Sequence, residues 1–167
     1  MMWTAFAGRS MKARIPGHLS ATTEGERSRK GINVNDIPKL YRVILQVSDL
    51  GKGAEFYAKL LGTEGRRIRG GFRHYFDCGA VILALVDPSA DDEAARPNPD
   101  NIYFSVNDLE AVHARAKDLG CLSTGDVHGE SAGEIVKRPW GERSFYAFDP
   151  FGNPICFVEE STVFTGE

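Results

Sequence analysis

The sequence predicts an α+β fold made of two tandem β-α-β-β-β modules whose curved mixed sheets enclose a cleft. A strand pattern followed by an amphipathic helix begins after residue 38, and the same pattern returns nearly 60 residues later. The 167-residue chain is 42% hydrophobic and 26% charged, with a formal charge of −3, which is typical of a globular domain that buries a core. No apolar run approaches the roughly 18 residues of a membrane-spanning helix, so we expect no membrane partner.

The first module begins with a predicted strand and a predicted helix. Residues 41–47 alternate between apolar side chains on one face and mixed side chains on the other, which is typical of a strand. Asp49 can cap the helix that follows, and Gly62 can end that helix in a left-handed conformation. Three further strands are predicted, at about residues 64–69, 72–78 and 81–86.

The second module repeats the order of the first. Val106-Asn107-Asp108-Leu109 matches Val47-Ser48-Asp49-Leu50, and Leu119-Gly120 matches Leu61-Gly62. Two such open modules are stabilised most easily against one another, and a ligand cavity between them is the expected result.

The predicted organisation places one domain between two terminal segments. Residues 1–38 lack a sustained period, carry six Lys/Arg against three acids, and are predicted to be a flexible extension. A spurious upstream start, a targeting segment and a partner-binding arm stay open as alternatives for this extension. The predicted domain spans residues 39–161 and is followed by a C-terminal tail at 162–167. Within the domain, module one is placed at 39–88, an acidic proline-rich linker at 89–100 and module two at 101–161.

Charge and cysteine content restrict the partners and the location. Outside the extension the chain carries 14 bases and 20 acids, so it would repel phosphate and we expect no nucleic-acid partner. The three cysteines are an odd number without C-x-x-C spacing. This pattern disfavours a disulfide framework and favours a reducing cytoplasm.

Several short motifs carry a resemblance to a known family. They are Val47-Ser48-Asp49-Leu50, Glu55-Phe56-Tyr57, Leu61-Gly62 and a Phe-Tyr-x-x-Asp-Pro-x-Gly-Asn segment at 145–153. Through them the chain resembles the vicinal oxygen chelate superfamily over about residues 39–160. That superfamily contains glyoxalase I, extradiol dioxygenases, fosfomycin-resistance transferases and bleomycin-resistance binding proteins. The resemblance implies the glyoxalase/bleomycin-resistance fold, and by analogy a homodimer.

The resemblance also indicates where a metal would bind. Metalloenzymes of the superfamily hold a divalent metal through the first and last strands of their modules, and these positions correspond here to Arg42, Ala84, Asn101 and Cys156. Arginine stays protonated and alanine has no donor atom, while an amide and a thiol of different softness do not make an open catalytic site. We therefore expect no metal and no other cofactor.

Eight residues are candidates for ligand contact. Arg42, Gln46, Asn101 and Tyr103 share the predicted concave strand faces, and Tyr146 resembles a pocket-lining tyrosine of the fosfomycin-resistance branch. The full set is Arg42, Gln46, His74, Asn101, Tyr103, Trp140, Tyr146 and Cys156. No catalytic residue is identified among them.

Each candidate also has a purely structural interpretation. Arg42 can form a salt bridge, Tyr146 can serve packing alone, and Trp140 can be a hydrophobic lid. His74 can be a hydrogen-bonded strand residue, and Cys156 can act as a small buried hydrophobe.

Two functions therefore follow from the sequence. The first is metal-independent binding of a small organic molecule in the cleft between the modules, as in the bleomycin-resistance branch. The alternative is an enzyme of the same superfamily, a lyase, isomerase or dioxygenase, that works without metal or with displaced metal ligands. A domain with a collapsed cavity that serves only as an interaction scaffold is a third interpretation.

Overall fold

The computed structural model describes residues 38–166, and its first module has the predicted order. The predicted extension at 1–38 lies outside the described residues except for Pro38. The first module consists of β1 (Arg42–Gln46), α1 (Leu50–Leu61), β2 (Arg66–Arg67), β3 (Arg73–Cys78) and β4 (Val81–Val86). Its strands form one sheet in the order β1-β4-β3-β2, in which β1 and β4 are parallel and the other pairs are antiparallel.

Helix α1 begins and ends as predicted. The Asp49 carboxylate accepts a hydrogen bond of 2.9 Å from the amide of Lys52, which satisfies one of the unpaired donors of the first turn. Gly62 adopts the left-handed conformation at φ 68° and donates its amide to the carbonyl of Ala58. A residue with a Cβ is disfavoured in this conformation.

The second module repeats the order and adds a hairpin. It consists of β5 (Ile102–Val106), α2 (Leu109–Asp118), β6 (Asp126–Val127), β7 (Glu130–Ser131), β8 (Val136–Lys137), β9 (Arg143–Phe148) and β10 (Pro154–Glu159). The main sheet has the order β5-β10-β9-β8, equivalent to that of the first sheet. Strands β6 and β7 form a separate two-stranded hairpin, which has no counterpart in the predicted repeat.

The predicted linker at 89–100 is tied to both modules. A short 3₁₀ helix, Pro88–Asp91, follows β4. Further along, the amide of Arg96 donates to the Gln46 side-chain oxygen, and the amide of Asn98 donates to the Asn153 side-chain oxygen, both at 2.9 Å.

One hydrophobic core connects the helices and both sheets. It contains apolar residues from α1 and α2 together with one face of each main sheet. The other side of each sheet, formed by the alternate residues of its strands, is called here the open face of that sheet. The two sheets stay separate and do not close into a barrel. No helix within residues 38–166 is long and apolar enough to cross a membrane.

The turn between β9 and β10 joins the modules. The buried Asp149 carboxylate accepts hydrogen bonds from the Tyr57 hydroxyl on α1, the amides of Phe151 and Asn153, and the Asn153 side chain. Asn153 also donates to the carbonyl of Gln46 at 3.0 Å. Gly152 takes the positive φ, 86°, that the turn requires. The Asp-Pro-x-Gly-Asn segment is therefore a structural connection between α1, β1 and the second sheet.

Candidate functional site

The open face of the first sheet holds Arg42 between two aromatic rings. The guanidinium carbon of Arg42 lies 5.0 Å from the ring centroid of Tyr41 and 4.8 Å from that of Tyr75. The Arg42 Nε atom is buried and has no hydrogen-bond partner among the described residues. Arg42 also forms no salt bridge with any residue in 38–166. The Arg42 charge is therefore stabilised by cation–π contacts, and its Nε–H group has no acceptor among the described residues.

Gln46 and His74 make contacts that are directed away from Arg42. The side-chain oxygen of Gln46 accepts the Arg96 amide of the linker. His74 lies on the helix-side face of β3, with its ring 5.0 Å from that of Phe76. Burial and the charge of Arg67 lower the pKa of His74. The residue of β3 that faces Arg42 is Tyr75, because strand alternation places the candidate His74 on the opposite side of β3.

Three predicted residues form a row across the open face of the second sheet. In the strand register, Tyr103 on β5 is paired with Cys156 on β10, and Cys156 is paired with Tyr146 on β9. The two tyrosine rings meet edge to face with centroids 6.4 Å apart. Tyr103 is 57% exposed, whereas Tyr146 and Cys156 are buried.

The buried members of this row stay neutral at physiological pH. Burial raises the pKa of Cys156 to about 12. Burial also raises the pKa of Tyr146, with smaller contributions from neighbouring Cys156 and Tyr103. The Cys156 thiol therefore lacks the thiolate character that metal binding and nucleophilic catalysis require.

Two cavities border the row. One of about 390 Å³ is lined by residues that include Tyr103, Ser105 and Val158. The other, of about 210 Å³, contains Asn101 and Tyr146. The structure thus brings together four of the predicted residues, namely Asn101, Tyr103, Tyr146 and Cys156.

A third cavity lies between the modules. It has a volume of about 540 Å³ and is bordered by β1, the β3–β4 turn and β5. Of the eight predicted ligand residues it contains Tyr103 alone, and Ser105 also lines it. Tyr103 and Ser105 therefore border both this cleft and the 390 Å³ cavity.

Trp140 lies at the edge of the second sheet and is already engaged. Its indole nitrogen donates a hydrogen bond of 2.7 Å to the Glu142 carboxylate. Its ring meets the His128 ring edge to face, with centroids 5.3 Å apart. None of the cavities described above is lined by Trp140.

The residues at the superfamily's metal positions do not fit a divalent metal. Arg42 is a cation, Ala84 has no donor atom, and the Cys156 thiol is buried with a raised pKa. Asn101 alone offers a neutral oxygen. Within residues 38–166, no group of three or more His, Cys, Asp or Glu side chains is placed to hold a metal ion.

Arg138 is a buried residue beside this row that was not among the predicted candidates. Only 1% of its surface is exposed, although it follows Lys137 in a segment that reads as exposed and charged. Its Nε donates to the Ser144 hydroxyl at 3.1 Å, and its Nη2 donates to the carbonyls of Ser131 and Ser144 at 3.3 Å. The guanidinium carbon lies 5.1 Å from the Tyr146 ring centroid. The available signal was alternation, which turns Tyr146 and Ser144 to one face of β9.

Comparisons with known proteins agree with this fold. The sequence profile of the Glyoxalase/Bleomycin resistance protein/Dioxygenase superfamily matches residues 39–157. No curated protein matches the sequence. Among solved structures, one titled "Oxidase ChaP-H1" is similar with 22% identity and a TM-score of 0.61, covering 78% of this chain and 100% of that one.

Two further structures show the same likeness. A lactoylglutathione lyase from Agrobacterium tumefaciens has 24% identity and a TM-score of 0.54, covering 74% of this chain and 95% of that one. A glyoxalase/bleomycin resistance protein from Albidiferax ferrireducens has 20% identity and a TM-score of 0.57, with 72% and 97% covered. At these identities the likeness is one of fold. Since the superfamily profile spans most of the sequence and the fold agrees with it, the chain belongs to the Glyoxalase/Bleomycin resistance protein/Dioxygenase superfamily.

Proposed function

We propose that this protein binds a small organic molecule without a metal, on the open face of the second sheet where it borders the cleft between the modules. The observation that carries this proposal is the set of residues at the metal positions. A cation at Arg42 and a buried, protonated thiol at Cys156 replace ligands that a Lewis-acid site needs. Binding rather than metal-dependent chemistry is the function that this set supports.

The composition of the open face supports a guest with an aromatic or apolar body. Tyr103 presents an exposed ring beside the buried Tyr146 ring, and Val158 adds an aliphatic surface in the adjacent cavity. Rings and aliphatic groups with a few placed polar atoms are typical of small-molecule sites. Neither Cys156 nor Tyr146 titrates near neutral pH, because the pKa of each is raised. The row therefore offers contact surface and hydrogen-bond donors rather than a general base.

The first test is metal content combined with thermal stability. The purified full chain is analysed for bound metal, treated with a chelator, and titrated separately with Mn²⁺, Fe²⁺, Ni²⁺, Zn²⁺ and Mg²⁺. We expect a metal content of less than about a tenth of an equivalent and no stabilisation. A metal at 100 times the dissociation constant of a specific site adds about 2.7 kcal/mol to the free energy of unfolding. A stoichiometric metal with a matching rise in Tm would overturn the proposal and favour an enzyme.

We also propose that the protein is a homodimer in a reducing cytoplasm. Strand β1 lies at a sheet edge and carries or adjoins the exposed apolar residues Leu40, Tyr41 and Ile44. Exposed edges with apolar side chains favour association. The three cysteines form no disulfide in the structure, as expected in a reducing compartment.

The assembly is tested by light scattering at micromolar concentrations. We expect twice the chain mass for the wild type, and a shift toward one chain mass for Ile44→Lys, because a buried lysine would disfavour the interface. The exposed Phe72→Lys is a control away from β1. A monomeric wild type would contradict the dimer and leave ligand binding unaffected.

A further inference from the structure

The buried guanidinium of Arg138 has no counter-charge among the described residues. Its Nη1 atom is buried and has no hydrogen-bond partner. Its other two nitrogens donate only to the neutral oxygens of Ser131 and Ser144. None of the salt bridges in residues 38–166 includes Arg138. This differs from Arg143 on the same strand pair, which contacts two carboxylates.

An uncompensated charge in a protein interior is unfavourable. Buried charges are normally paired with an opposite charge, and a buried guanidinium cannot avoid the cost by losing its proton. The Tyr146 ring face, at 5.1 Å, offsets part of this cost but supplies no acceptor for Nη1. An anion that accepts from Nη1 would complete the environment of Arg138.

The Glu142 carboxylate, in the turn that follows Arg138, is engaged elsewhere. Glu142 accepts from the Trp140 indole nitrogen at 2.7 Å and from the Phe164 amide at 3.0 Å. Both of its oxygens therefore have donors, and it forms no salt bridge with Arg138. A carboxylate borders each neighbouring cavity, Glu142 the one of 390 Å³ and Asp126 the one of 210 Å³. The Tyr146 side is the approach we infer, because the Tyr146 ring lies 5.1 Å from the guanidinium carbon of Arg138.

The surroundings of Arg138 indicate what kind of anion fits. Ser144 and Tyr146 lie on the same face of β9, and Tyr146 lines the 210 Å³ cavity with Val127, Ala132 and Asn101. Ser131, the last residue of β7, contacts Arg138, and the next residue, Ala132, packs against Tyr146. The Nη2 contact to Ser131 is long at 3.3 Å, so an anion that displaces this carbonyl gives Arg138 a better partner. Carboxylates match the planar fork of arginine.

We propose that the small molecule bound by the second sheet is a carboxylate with an aromatic or apolar body, and that Arg138 binds its carboxylate group. The inference rests on the proposed function and names the ligand class of the same surface. Tyr146 and Tyr103 contact the body of the ligand, and its carboxylate accepts from Nη1, which has no other partner, and from Nη2 in place of the Ser131 carbonyl. Lys137, one residue earlier, is exposed and shares none of these contacts.

The test compares a carboxylate with its neutral isostere. Benzoate, benzamide and inorganic phosphate are titrated into the full chain by calorimetry, with and without a chelator. Charge-assisted pairing should make benzoate bind at least about tenfold more tightly than benzamide and more tightly than phosphate. In Arg138→Met we expect this preference to fall to about twofold or less, because only the apolar contacts remain. Arg138→Lys keeps the charge without the fork, and an intermediate preference is expected.

Lys137→Met is the matched control, since it removes one positive charge from the adjacent position. It should keep the full preference for benzoate. Equal affinity of the wild type for benzoate and benzamide, absence of binding by both, tighter binding of phosphate, or an unchanged preference in Arg138→Met would each overturn the inference. A preference that disappears in Lys137→Met as well would also overturn it. Binding that requires metal would instead overturn the proposed function, so the two failures are distinguishable. If Arg138→Met does not fold, the wild-type comparison and Arg138→Lys still decide the question.

Discussion

On the open face of each sheet an arginine lies against a tyrosine ring, but the surroundings of the two arginines differ. On the first sheet, Arg42 lies between the Tyr41 and Tyr75 rings, and neighbouring Ile44 is 47% exposed. On the second sheet, Arg138 is enclosed by Ser131, Ser144 and the Tyr146 ring. The strand order is equivalent in the two sheets. The difference comes from the β6–β7 hairpin and Ala132, which cover one open face only.

The aspartates near the ends of β3 and β9 differ in the same direction. Asp77 and Asp149 both lie near the end of the third main strand of their module. Asp77 is exposed and pairs with the exposed Arg66. Asp149 is buried and accepts from four donors, one of which is on α1. A duplicated module thus keeps its strand order while only the second copy gains a buried polar centre.

The largest expected effect is on the Asp149 turn. Asp149→Ala removes the acceptor of four hydrogen bonds and leaves the buried Tyr57 hydroxyl without a partner. We expect a loss of about 3–4 kcal/mol in the free energy of unfolding, measured by urea denaturation. Asp77→Ala is the matched change in the first module and should cost less than about 1 kcal/mol, because its salt bridge is exposed. Equal losses of unfolding free energy in the two variants would contradict the contrast between Asp149 and Asp77.

A smaller effect is expected at alkaline pH. The pKa of Cys156 is raised to about 12 by burial, so the folded state holds a proton that the unfolded thiol releases above its ordinary pKa near 9. This stabilisation is fully present below about pH 8.5 and is lost as the pH rises toward the folded pKa. By pH 10.5 the loss in the free energy of unfolding reaches about 2 kcal/mol. Thermal unfolding at pH 8 and pH 10.5 measures it.

Cys156→Ala should reduce this alkaline loss more than Cys78→Ala does. Cys78 lies in the first sheet and is only half-buried, so its raised pKa contributes less. The comparison uses the difference between the two pH values, which removes the constant cost of each truncation. The same alkaline loss in Cys156→Ala as in the wild type would show that the thiol does not hold its proton in the folded state.

The sequence predicted the elements that depend on local signals. The caps of both helices are examples, since Asp108 accepts from the Ala111 amide at 2.9 Å just as Asp49 accepts from Lys52. Because each capping aspartate follows a predicted strand by a few residues, the order of strand and then helix could be predicted in both modules. Strand β2 was placed only approximately, and β6 and β7 were missed. Each of these strands has two residues, too few for a period to appear.

The site was predicted less completely because burial depends on distant contacts. Tyr103, Tyr146 and Cys156 could be placed on one face from strand alternation and do form a row. His74 was identified only as a candidate on a strand of the pocket, and its ring lies on the helix-side face of β3 beside Phe76. For Arg138, alternation indicated only that its neighbours Ser144 and Tyr146 share a face of β9, whereas its contact with Ser131 depends on the unpredicted strand β7. Residue type alone favours an exposed arginine.

The contrast between the open faces should also appear in ligand affinity. Tyr103→Ala removes the exposed ring that borders both cavities on the second sheet. For an aromatic probe such as benzamide or benzoate we expect about a tenfold loss of affinity, equivalent to about 1.4 kcal/mol. Tyr75→Ala removes an equivalent ring from the first sheet and should change the affinity by less than about threefold. A larger loss in Tyr75→Ala would indicate that the ligand binds on the first sheet, beside Arg42.

The smallest expected effect tests how Arg42 is held. Since its guanidinium lies 4.8 Å from the Tyr75 centroid and forms no salt bridge within the described residues, a double-mutant cycle of Arg42→Met and Tyr75→Leu isolates one cation–π contact. At this partly exposed position we expect a coupling free energy of about 0.5–1 kcal/mol by urea denaturation. Raising the salt concentration should change the coupling little, because the contact involves a ring rather than an opposite charge. A coupling near zero would mean that Arg42 is stabilised by solvation rather than by the Tyr75 ring. A cation–π contact would then contribute on the second sheet only.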